Sequence, residues 1–285
     1  YKQINLDGAG NVIYNNTVYE SRDNSRSFVL LGLGTSFKLK SNIELYTNIS
    51  ENYRSVTFAD ISIINPAYSI NPNISDESGY TYDLGLRGNL KQKISFDITF
   101  FNMFYNNRIG FAQKEFQDGS VKSERGNIGD AFIYGAESNF DFDLNSIIIN
   151  SDNTSLNYFI NTAFIDSEYV RSEENGVVGK KVEFVPRINF KTGIKYGYQN
   201  LVFNLQYSYI SNQFTDSSNA DEGNISGIIG KIPEYYLLDF SFSYLIKNLR
   251  FESGVNNITN SLYFTRRATG YPGPGIIPSP PRNIY

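Results

Sequence analysis

The segment Tyr80-Thr-Tyr-Asp-Leu-Gly-Leu-Arg-Gly-Asn-Leu-Lys-Gln-Lys-Ile-Ser-Phe-Asp-Ile-Thr-Phe100 alternates apolar and polar residues on both sides of a short break. Apolar side chains recur at every second position from Tyr80 to Leu86, again at Leu90, and then from Ile94 to Phe100. A period of two is that of a β-strand with one apolar and one polar face. We therefore predict a two-faced antiparallel hairpin with a tight turn at Lys91-Gln-Lys93.

The same alternation recurs along most of the chain, in segments that are long for a globular protein. Segments of this length can cross a bilayer at a tilt. Their connections alternate between short and long, which is typical of an outer-membrane β-barrel. Short connections follow Leu39, Leu90, Tyr198 and Ile246, and long ones follow Arg54, Ile109, Tyr169, Phe214 and Leu262. We predict an all-β fold, an antiparallel transmembrane β-barrel to which this chain contributes about 10–12 strands.

The predicted domain organisation has two parts. Residues 1–26 are rich in Asn, Asp and Gly, which favours an extracellular loop region with a possible short strand at Val12 to Tyr19. Residues 27–285 are predicted to be barrel, with loops over about 55–78 and 110–124. The Gly- and Pro-rich stretch 270–281 is predicted to be a loop, and Arg282 to Tyr285 the start of a final strand.

The composition excludes several functions. Among 285 residues there is no Cys and no His, so the usual zinc ligands, a thiolate nucleophile and a Ser-His-Asp triad cannot be assembled. We therefore predict that the protein is not an enzyme and needs no cofactor or metal of its own. The net charge of −4, without basic runs, argues against a nucleic-acid partner.

Three segments resemble one known family. Gly254-Val-Asn-Asn-Ile258 with Tyr263-Phe-Thr-Arg-Arg-Ala-Thr-Gly-Tyr-Pro-Gly-Pro-Gly-Ile-Ile-Pro278 is similar to the last hairpin of TonB-dependent outer-membrane receptors. Tyr46 to Phe58 and Tyr82 to Gly88 resemble an earlier strand–loop–strand segment of that family, with Ser55 where Pro is frequent and Asp83 where Glu is frequent. The resemblance covers about residues 27–285 and is closest to the ferric dicitrate receptor branch.

This resemblance implies a barrel of about 22 strands in the bacterial outer membrane, enclosing an N-terminal plug. It implies uptake of a ferric chelate similar to ferric citrate, with iron only as part of the transported chelate. The implied partners are outer-membrane lipid, the chelate, the receptor's own plug and, through the plug, the inner-membrane TonB complex. The chain itself is expected to be the C-terminal half of the barrel, without the plug and with a truncated last strand.

Four arginines are candidate ligand-binding residues, because a guanidinium offers planar, bidentate hydrogen bonds to carboxylates. They are Arg54, Arg108, Arg266 and Arg267, at junctions between strands and long loops. The alternative is that they are solvated loop charges or charges facing lipopolysaccharide. A second set falls on the polar face of the strands and is expected to contact the plug or lumen water: Arg87, Asp97, Asp239, Arg250 and Glu252.

Two alternative functions fit the same pattern. The first is a passive porin, or a barrel that imports glycans or other nutrients. The second is a soluble β-rich binding module such as a sandwich or a solenoid, although sandwich strands are usually shorter and no solenoid repeat is visible. A plug-coding region upstream would favour the gated receptor, and solubility without detergent would favour the module.

Overall fold

The computed structural model describes residues 5–6, 12–14, 17–19, 27–61, 68–116, 121–225, 227–268 and 275–285. The chain divides into two units, Tyr1–Leu30 and Leu31–Tyr285. In the first unit, strands β1 (Asn5–Leu6), β2 (Val12–Tyr14) and β3 (Thr17–Tyr19) form an antiparallel sheet in that order. The short strand predicted across Val12 to Tyr19 is thus two paired strands. The rest of the predicted 1–26 loop lies outside the described residues, and the domain boundary at residue 27 stays a prediction.

The second unit is built almost entirely from long antiparallel strands. Its strands are β4 (Gly32–Lys40), β5 (Ile43–Arg54), β6 (Tyr68–Ile70), β7 (Glu77–Leu90), β8 (Ile94–Glu115), β9 (Val121–Asp143), β10 (Thr154–Arg171), β11 (Ile188–Tyr198), β12 (Leu201–Ile210), β13 (Tyr235–Ile246), β14 (Leu249–Asn256), β15 (Phe264–Ala268), β16 (Gly275–Pro278) and β17 (Asn283–Ile284). The helical elements are α1 (Phe58–Ile61) and a π-helical turn (Asn145–Ile149). No helix in the described ranges is long and apolar enough to span a membrane.

Most of these strands form one open sheet in the order β17-β14-β13-β12-β11-β10-β9-β8-β7-β5-β4. Every neighbouring pair along this path is antiparallel, while β6 adds a short parallel pairing to β9. The hairpin β15–β16 stands apart as its own two-stranded sheet. From β7 to β14 every spatial neighbour is also the next strand in sequence, whereas β5 pairs with β7, β14 with β17 and β6 with β9.

The register separates the two faces of the sheet. One row across six strands is apolar on one face: Ile94, Phe142, Tyr158, Ile194, Leu205 and Phe240. A row on the other face is polar: Arg87, Asp97, Asn139, Asn161, Lys191 and Ser208. Because side chains alternate along a strand, this in-step register produces one apolar and one polar face. The apolar face is uncovered in this chain, and Phe100 is 58% exposed.

The buried core lies at the long-loop end rather than along the sheet. Its largest cluster joins the distal parts of β8, β9 and β10 to the 172–187 connection, and a smaller one includes Tyr68 and the 227–230 segment. The first cluster comprises Phe101, Ala112, Ile128, Ala131, Ile133, Tyr169, Val177 and Val182. In the second, the rings of Tyr68 and Phe111 meet edge-on at 5.5 Å. The long connections therefore fold back onto the ends of the strands.

Three predicted loops are wrong in part. The predicted 55–78 loop contains α1, β6 and the first residues of β7. The predicted 110–124 connection is mostly strand, because β8 and β9 extend to 22 and 23 residues. The packed connections bury Ile109, Ala112 and Glu124 alike. Apolar and polar residues therefore no longer alternate along this stretch, although its backbone stays extended. The predicted 270–281 loop contains β16, which ends at Pro278 on an edge where proline is tolerated. The predicted final strand is confirmed at Asn283–Ile284, which pairs with β14.

Gly79 tests the close pairing of β7 and β8. A methyl group there would overlap the carbonyl oxygen of Phe104 on the paired strand. We expect Gly79→Ala to destabilise the sheet by about 1–3 kcal/mol, the usual cost of overpacking. The measurement is the temperature at which the folded protein converts to the unfolded gel mobility, which should be lower in the variant. Gly34→Ala is the matched control, since its nearest neighbour, Asn48 Oδ1, would lie 3.5 Å away. Equal effects of the two substitutions would contradict the assigned pairing.

Candidate ligand-entry site at the long-loop end

The long connections form a packed cap at one end of the sheet. The Phe184 amide donates to the Phe214 carbonyl oxygen at 2.9 Å, and the Lys181 amide donates to Asn219 Oδ1 at 2.7 Å. These bonds join the 172–187 and 211–234 connections. The Ser217 amide donates to the Phe111 carbonyl at 3.1 Å and attaches the second connection to β8. Side chains at this end therefore lie on a surface whose backbone is fixed by hydrogen bonds between the connections.

Arg54, a predicted ligand-binding residue, is held in an ion cluster centred on Asp60. Its Nη2 lies 2.8 Å from Asp60 Oδ1, and its Nη1 lies 3.5 Å from Glu77 Oε2. Arg125 Nη2 approaches the same Asp60 oxygen at 2.7 Å. Asp60 thus joins the end of β5 to β9, and the Arg54 guanidinium is occupied by protein carboxylates. Its role in ligand binding stays a prediction.

Asp60 is 3% exposed and is ionised despite this burial. Burial alone would raise the pKa of its carboxyl group. Hydrogen bonds from the Thr57 backbone and hydroxyl, from Arg125 and from Arg54 outweigh burial and hold the pKa well below its ordinary value. The Thr57 amide donates to Asp60 Oδ2 at 2.9 Å, so the carboxylate also caps the short helix α1.

Arg108, the second predicted ligand-binding arginine, faces the larger buried cluster. Its guanidinium lies 5.5 Å from the centre of the Tyr105 ring, and its buried Nε has no hydrogen-bond partner among the described residues. Burial alone would lower its pKa, but the negative charges of Glu183 and Glu77 outweigh burial and raise the pKa. Arg108 is therefore a cation among buried acids, and its contact with a ligand stays a prediction.

Tyr169 and Glu183 form a buried, hydrogen-bonded pair in the same region as Arg108. Tyr169 is fully buried, and its hydroxyl donates to Glu183 Oε2 at 2.7 Å. Burial, together with the Glu183 charge, strongly raises the pKa of the Tyr169 phenol, so it remains a neutral donor. The bond ties β10 to the connection that follows it.

Arg266 and Arg267 are neighbours on β15 with different surroundings. The Arg267 guanidinium donates to three carbonyl oxygens, those of Gly227 at 2.8 Å, Lys231 at 3.0 Å and Gly230 at 3.1 Å. Arg266 is exposed and makes no hydrogen bond or ion pair with the described residues. Of this adjacent pair, Arg267 holds the hairpin in place and Arg266 presents its charge to solvent.

A small cavity of about 30 Å³ lies beside Arg267, between the smaller core cluster and the 211–234 connection. Asp216 lines it and is 2% exposed, and one of its carboxylate oxygens, Oδ2, has no hydrogen-bond partner in the part of the chain that the structure describes. The other oxygen accepts hydrogen bonds from the amide and hydroxyl of Ser218. Arg267, which is half-buried, lines the same cavity, so its guanidinium and the buried carboxyl group of Asp216 share one space.

The register places the five predicted lumen-side residues on the polar face of the sheet. Arg87 pairs with Glu44 at 3.0 Å and lies over the Tyr46 ring at 4.9 Å. The Tyr46 hydroxyl donates to Asp97 at 2.7 Å, which completes a four-residue polar cluster on β5, β7 and β8. These side chains bind one another within the sheet. Their contact with a plug stays a prediction.

The other three polar-face residues lie toward the opposite edge of the sheet. Asp239 accepts a hydrogen bond from the Asn257 amide at 2.7 Å. Arg250 and Glu252 form an exposed ion pair at 2.9 Å on β14. Such an exposed pair contributes little to stability.

Sequence reasoning did not single out several residues that organise this end. Asp60, Arg125, Glu183 and Asp216 lie in predicted loops or beyond the clear alternation, so no periodic signal marked them. The three-residue offset of Thr57 and Asp60 fits a helix-capping pattern and was the one local signal available. The remaining contacts join residues far apart in the chain.

The described geometry defines a class of protein. A long-stranded antiparallel sheet with one apolar face, short turns at one end and packed loops at the other is part of an outer-membrane type of β-barrel. The family model described as "TonB dependent receptor-like, beta-barrel" matches residues 1–258. The chain belongs to this family, whose members are β-barrel proteins of the bacterial outer membrane and are transporters rather than enzymes.

Solved structures with the same fold share little sequence with this chain. The ferric citrate transporter FecA in its unliganded form is 23% identical over 90% of this chain, with a TM-score of 0.70. The ferric yersiniabactin uptake receptor FyuA from Yersinia pestis is 17% identical over 96%, with a TM-score of 0.70. The siderophore receptor PiuA from Acinetobacter baumannii is 18% identical over 96%, with a TM-score of 0.69. The alignments cover 37%, 39% and 37% of those three chains, respectively.

These findings decide several sequence-based predictions. The all-β antiparallel fold, the family resemblance and the outer-membrane location are confirmed. The soluble β-rich module is wrong, because the family consists of membrane barrels.

The Asp60 cluster predicts a pH-dependent stability of the cap. Because its pKa is lowered on folding, Asp60 stabilises the folded state fully above its ordinary value of 3.8, and this contribution declines as the pH falls below that value. Asp60→Asn should abolish this part of the pH dependence. Asp60→Ala should cost about 3–5 kcal/mol, because it removes the carboxylate shared by Arg54 and Arg125 and leaves Arg54 with Glu77 alone. Thermal unfolding between pH 3 and pH 7 measures both. An unchanged pH profile in Asp60→Asn would contradict this role.

Arg267 should act through local stability. Arg267→Ala removes three hydrogen bonds from a charged donor, each of which is worth about 1.5–3 kcal/mol. We expect faster amide hydrogen exchange in residues 227–232 and in β15–β16, with the sheet unchanged. The neighbouring Arg266→Ala is the matched control and should leave exchange as in the wild type. Equal protection in both variants would show that the carbonyl contacts do not hold the hairpin.

Proposed function

We propose that this protein is a receptor that imports a ferric chelate across the outer membrane, with ferric citrate or a similar carboxylate chelate as its substrate. The family match supports uptake across the outer membrane, but not a particular substrate. The citrate assignment is supported by the sequence resemblance to the ferric dicitrate branch and by the fold shared with the ferric citrate transporter FecA. The neighbouring structures also include receptors for other chelates, so the choice of substrate depends on side-chain chemistry.

A carboxylate chelate is an anion and needs cationic donors that are not already occupied. Arg54 and Arg267 are bonded to Asp60 and to loop carbonyls, whereas Arg266 is exposed and has no described partner. A guanidinium can bind a carboxylate through two parallel hydrogen bonds. Arg266 is therefore the first ligand contact that we propose, and Arg108 is a candidate that would need the cap to open.

The polar face of the sheet supports the proposed partners. Arg87, Asp97 and Asp239 lie on this face, which would line the lumen of a closed barrel. A plug from the same receptor would contact these groups through polar interactions, and the TonB complex would act on the receptor through that plug. A passive porin would need neither partner.

Isothermal titration of the full-length receptor in detergent tests the proposal. We expect ferric citrate to bind at least about tenfold more tightly than iron-free citrate or a ferric catecholate. Arg266→Ala should weaken ferric citrate about tenfold or more, which corresponds to the loss of hydrogen bonds to a charged group.

Lys247→Ala is the matched control, because it removes a cation from a short turn at the opposite end of the sheet. It should leave the affinity unchanged. Binding of another ferric chelate in place of ferric citrate would overturn the substrate assignment and keep the uptake proposal. Failure of every ferric chelate to bind a folded receptor would overturn both and favour the porin.

A further inference from the structure

The connection between β9 and β10 differs from the other connections at the short-turn end. Its neighbours are tight and polar, with Lys91-Gln-Lys93 on one side and Gln199-Asn200 on the other. The β9–β10 connection is longer and contains the π-helical turn Asn145–Ile149, with the sequence Asn-Ser-Ile-Ile-Ile. A longer apolar connection among tight polar turns is unexpected for a segment that faces only water.

The three isoleucines of this turn are exposed. Ile147 is 44% exposed, Ile148 is 71% exposed and Ile149 is 40% exposed. Single exposed apolar residues are common on protein surfaces, but contiguous ones mark contact with another apolar phase.

The turn is held in a defined shape, so this exposure does not arise from a loose segment. The Asn150 amide donates to the Asn145 carbonyl at 2.6 Å and closes the turn. Thr154 Oγ1 donates to Asn145 Oδ1 at 2.6 Å. Lys93 Nζ donates to the Ser146 carbonyl at 2.7 Å and fastens the turn to the neighbouring β7–β8 connection.

The turn begins where the apolar face of the sheet ends. Phe142 and Tyr158 pair across β9 and β10 immediately before it, with ring centroids 6.0 Å apart. Aromatic rings at strand ends mark the membrane–water interface of a barrel. Leu144 is two residues beyond Phe142, so the turn begins about 5–10 Å past the Phe142 ring, within reach of the boundary between headgroups and acyl chains.

The nearby positive charges favour lipid as the phase that the isoleucines contact. Lys91 and Lys93 lie on the adjacent connection, and Lys93 is fastened to the turn itself. Apolar residues beside lysines are the pattern by which interfacial segments bind phospholipid, since the side chains enter the acyl boundary and the cations meet phosphate.

We propose that the Asn145–Ile149 turn is a membrane-interface anchor, whose isoleucines insert into the phospholipid leaflet on the short-turn side of the outer membrane. This inference depends on the outer-membrane location of the family and not on the identity of the transported chelate. The anchor would fix the depth of β9 and β10, the strands that carry the largest buried cluster at the opposite end.

Spin labelling tests the location of the turn. The chain has no cysteine, so Ile148→Cys introduces one attachment site into these 285 residues. The labelled full-length protein is placed in nanodiscs of phosphatidylethanolamine and phosphatidylglycerol. Accessibility to oxygen, which concentrates in lipid, is then compared with accessibility to a water-soluble nickel chelate. Phe100→Cys on the apolar face is the lipid control, and Ser41→Cys in the β4–β5 turn is the water control.

We expect Ile148→Cys to resemble Phe100→Cys, with oxygen accessibility several-fold above that of Ser41→Cys and low nickel accessibility. Ile147→Cys is a second labelling site should the first variant not assemble. Nickel accessibility equal to that of Ser41→Cys would place the turn in water and overturn the proposal. Protection from both reagents would show a protein partner and overturn it equally.

Discussion

The structure depends on one constraint, that every backbone amide in the membrane must find its partner on a neighbouring strand. An unpaired amide in hydrocarbon costs several kcal/mol, so a spanning sheet needs a continuous hydrogen-bond ladder. Here the ladder runs from β4 to β14 in unbroken antiparallel order. The same ladder keeps all strands in step, which aligns Phe142, Tyr158 and Ile194 on one face. A one-residue slip would turn these side chains into the polar face.

Beyond the membrane, other forces hold the chain. The strands of the β8–β9 hairpin continue where lipid no longer selects apolar side chains, and there the long connections supply burial on both sides. Buried ions and hydrogen bonds carry this region, with Asp60 between two arginines and Tyr169 on Glu183. Most cations at this end are therefore structural, and an incoming anion would meet few that are unoccupied. This scarcity makes Arg266, the exposed neighbour of the half-buried Arg267, the focus of the proposed substrate site.

Sequence reasoning succeeded where one environment acts on one face of a strand. The hairpin from Tyr80 to Phe100 was readable because lipid and lumen impose opposite chemistries on alternate residues. It failed over 110–124, where packing on both faces removes the alternation, and it missed the strand at Gly275–Pro278, whose composition is that of a loop. Among the candidate arginines, sequence identified the residue type that suits an anion. It could not separate Arg266 from Arg267, because the difference lies in carbonyl groups of a connection 36 to 40 positions away.

The sequence by itself determined the class of fold, the order of the long strands, the two faces of the sheet and the end at which the long connections lie. These properties follow from local periodicity and from turn residues, which act over a few positions. Only the tertiary structure decided which charges are occupied, that the core sits in the cap, and that three isoleucines are exposed on an ordered turn at the short-turn end. Each of these depends on groups distant in the chain that meet only after the strands have paired, and no local pattern encodes such a meeting.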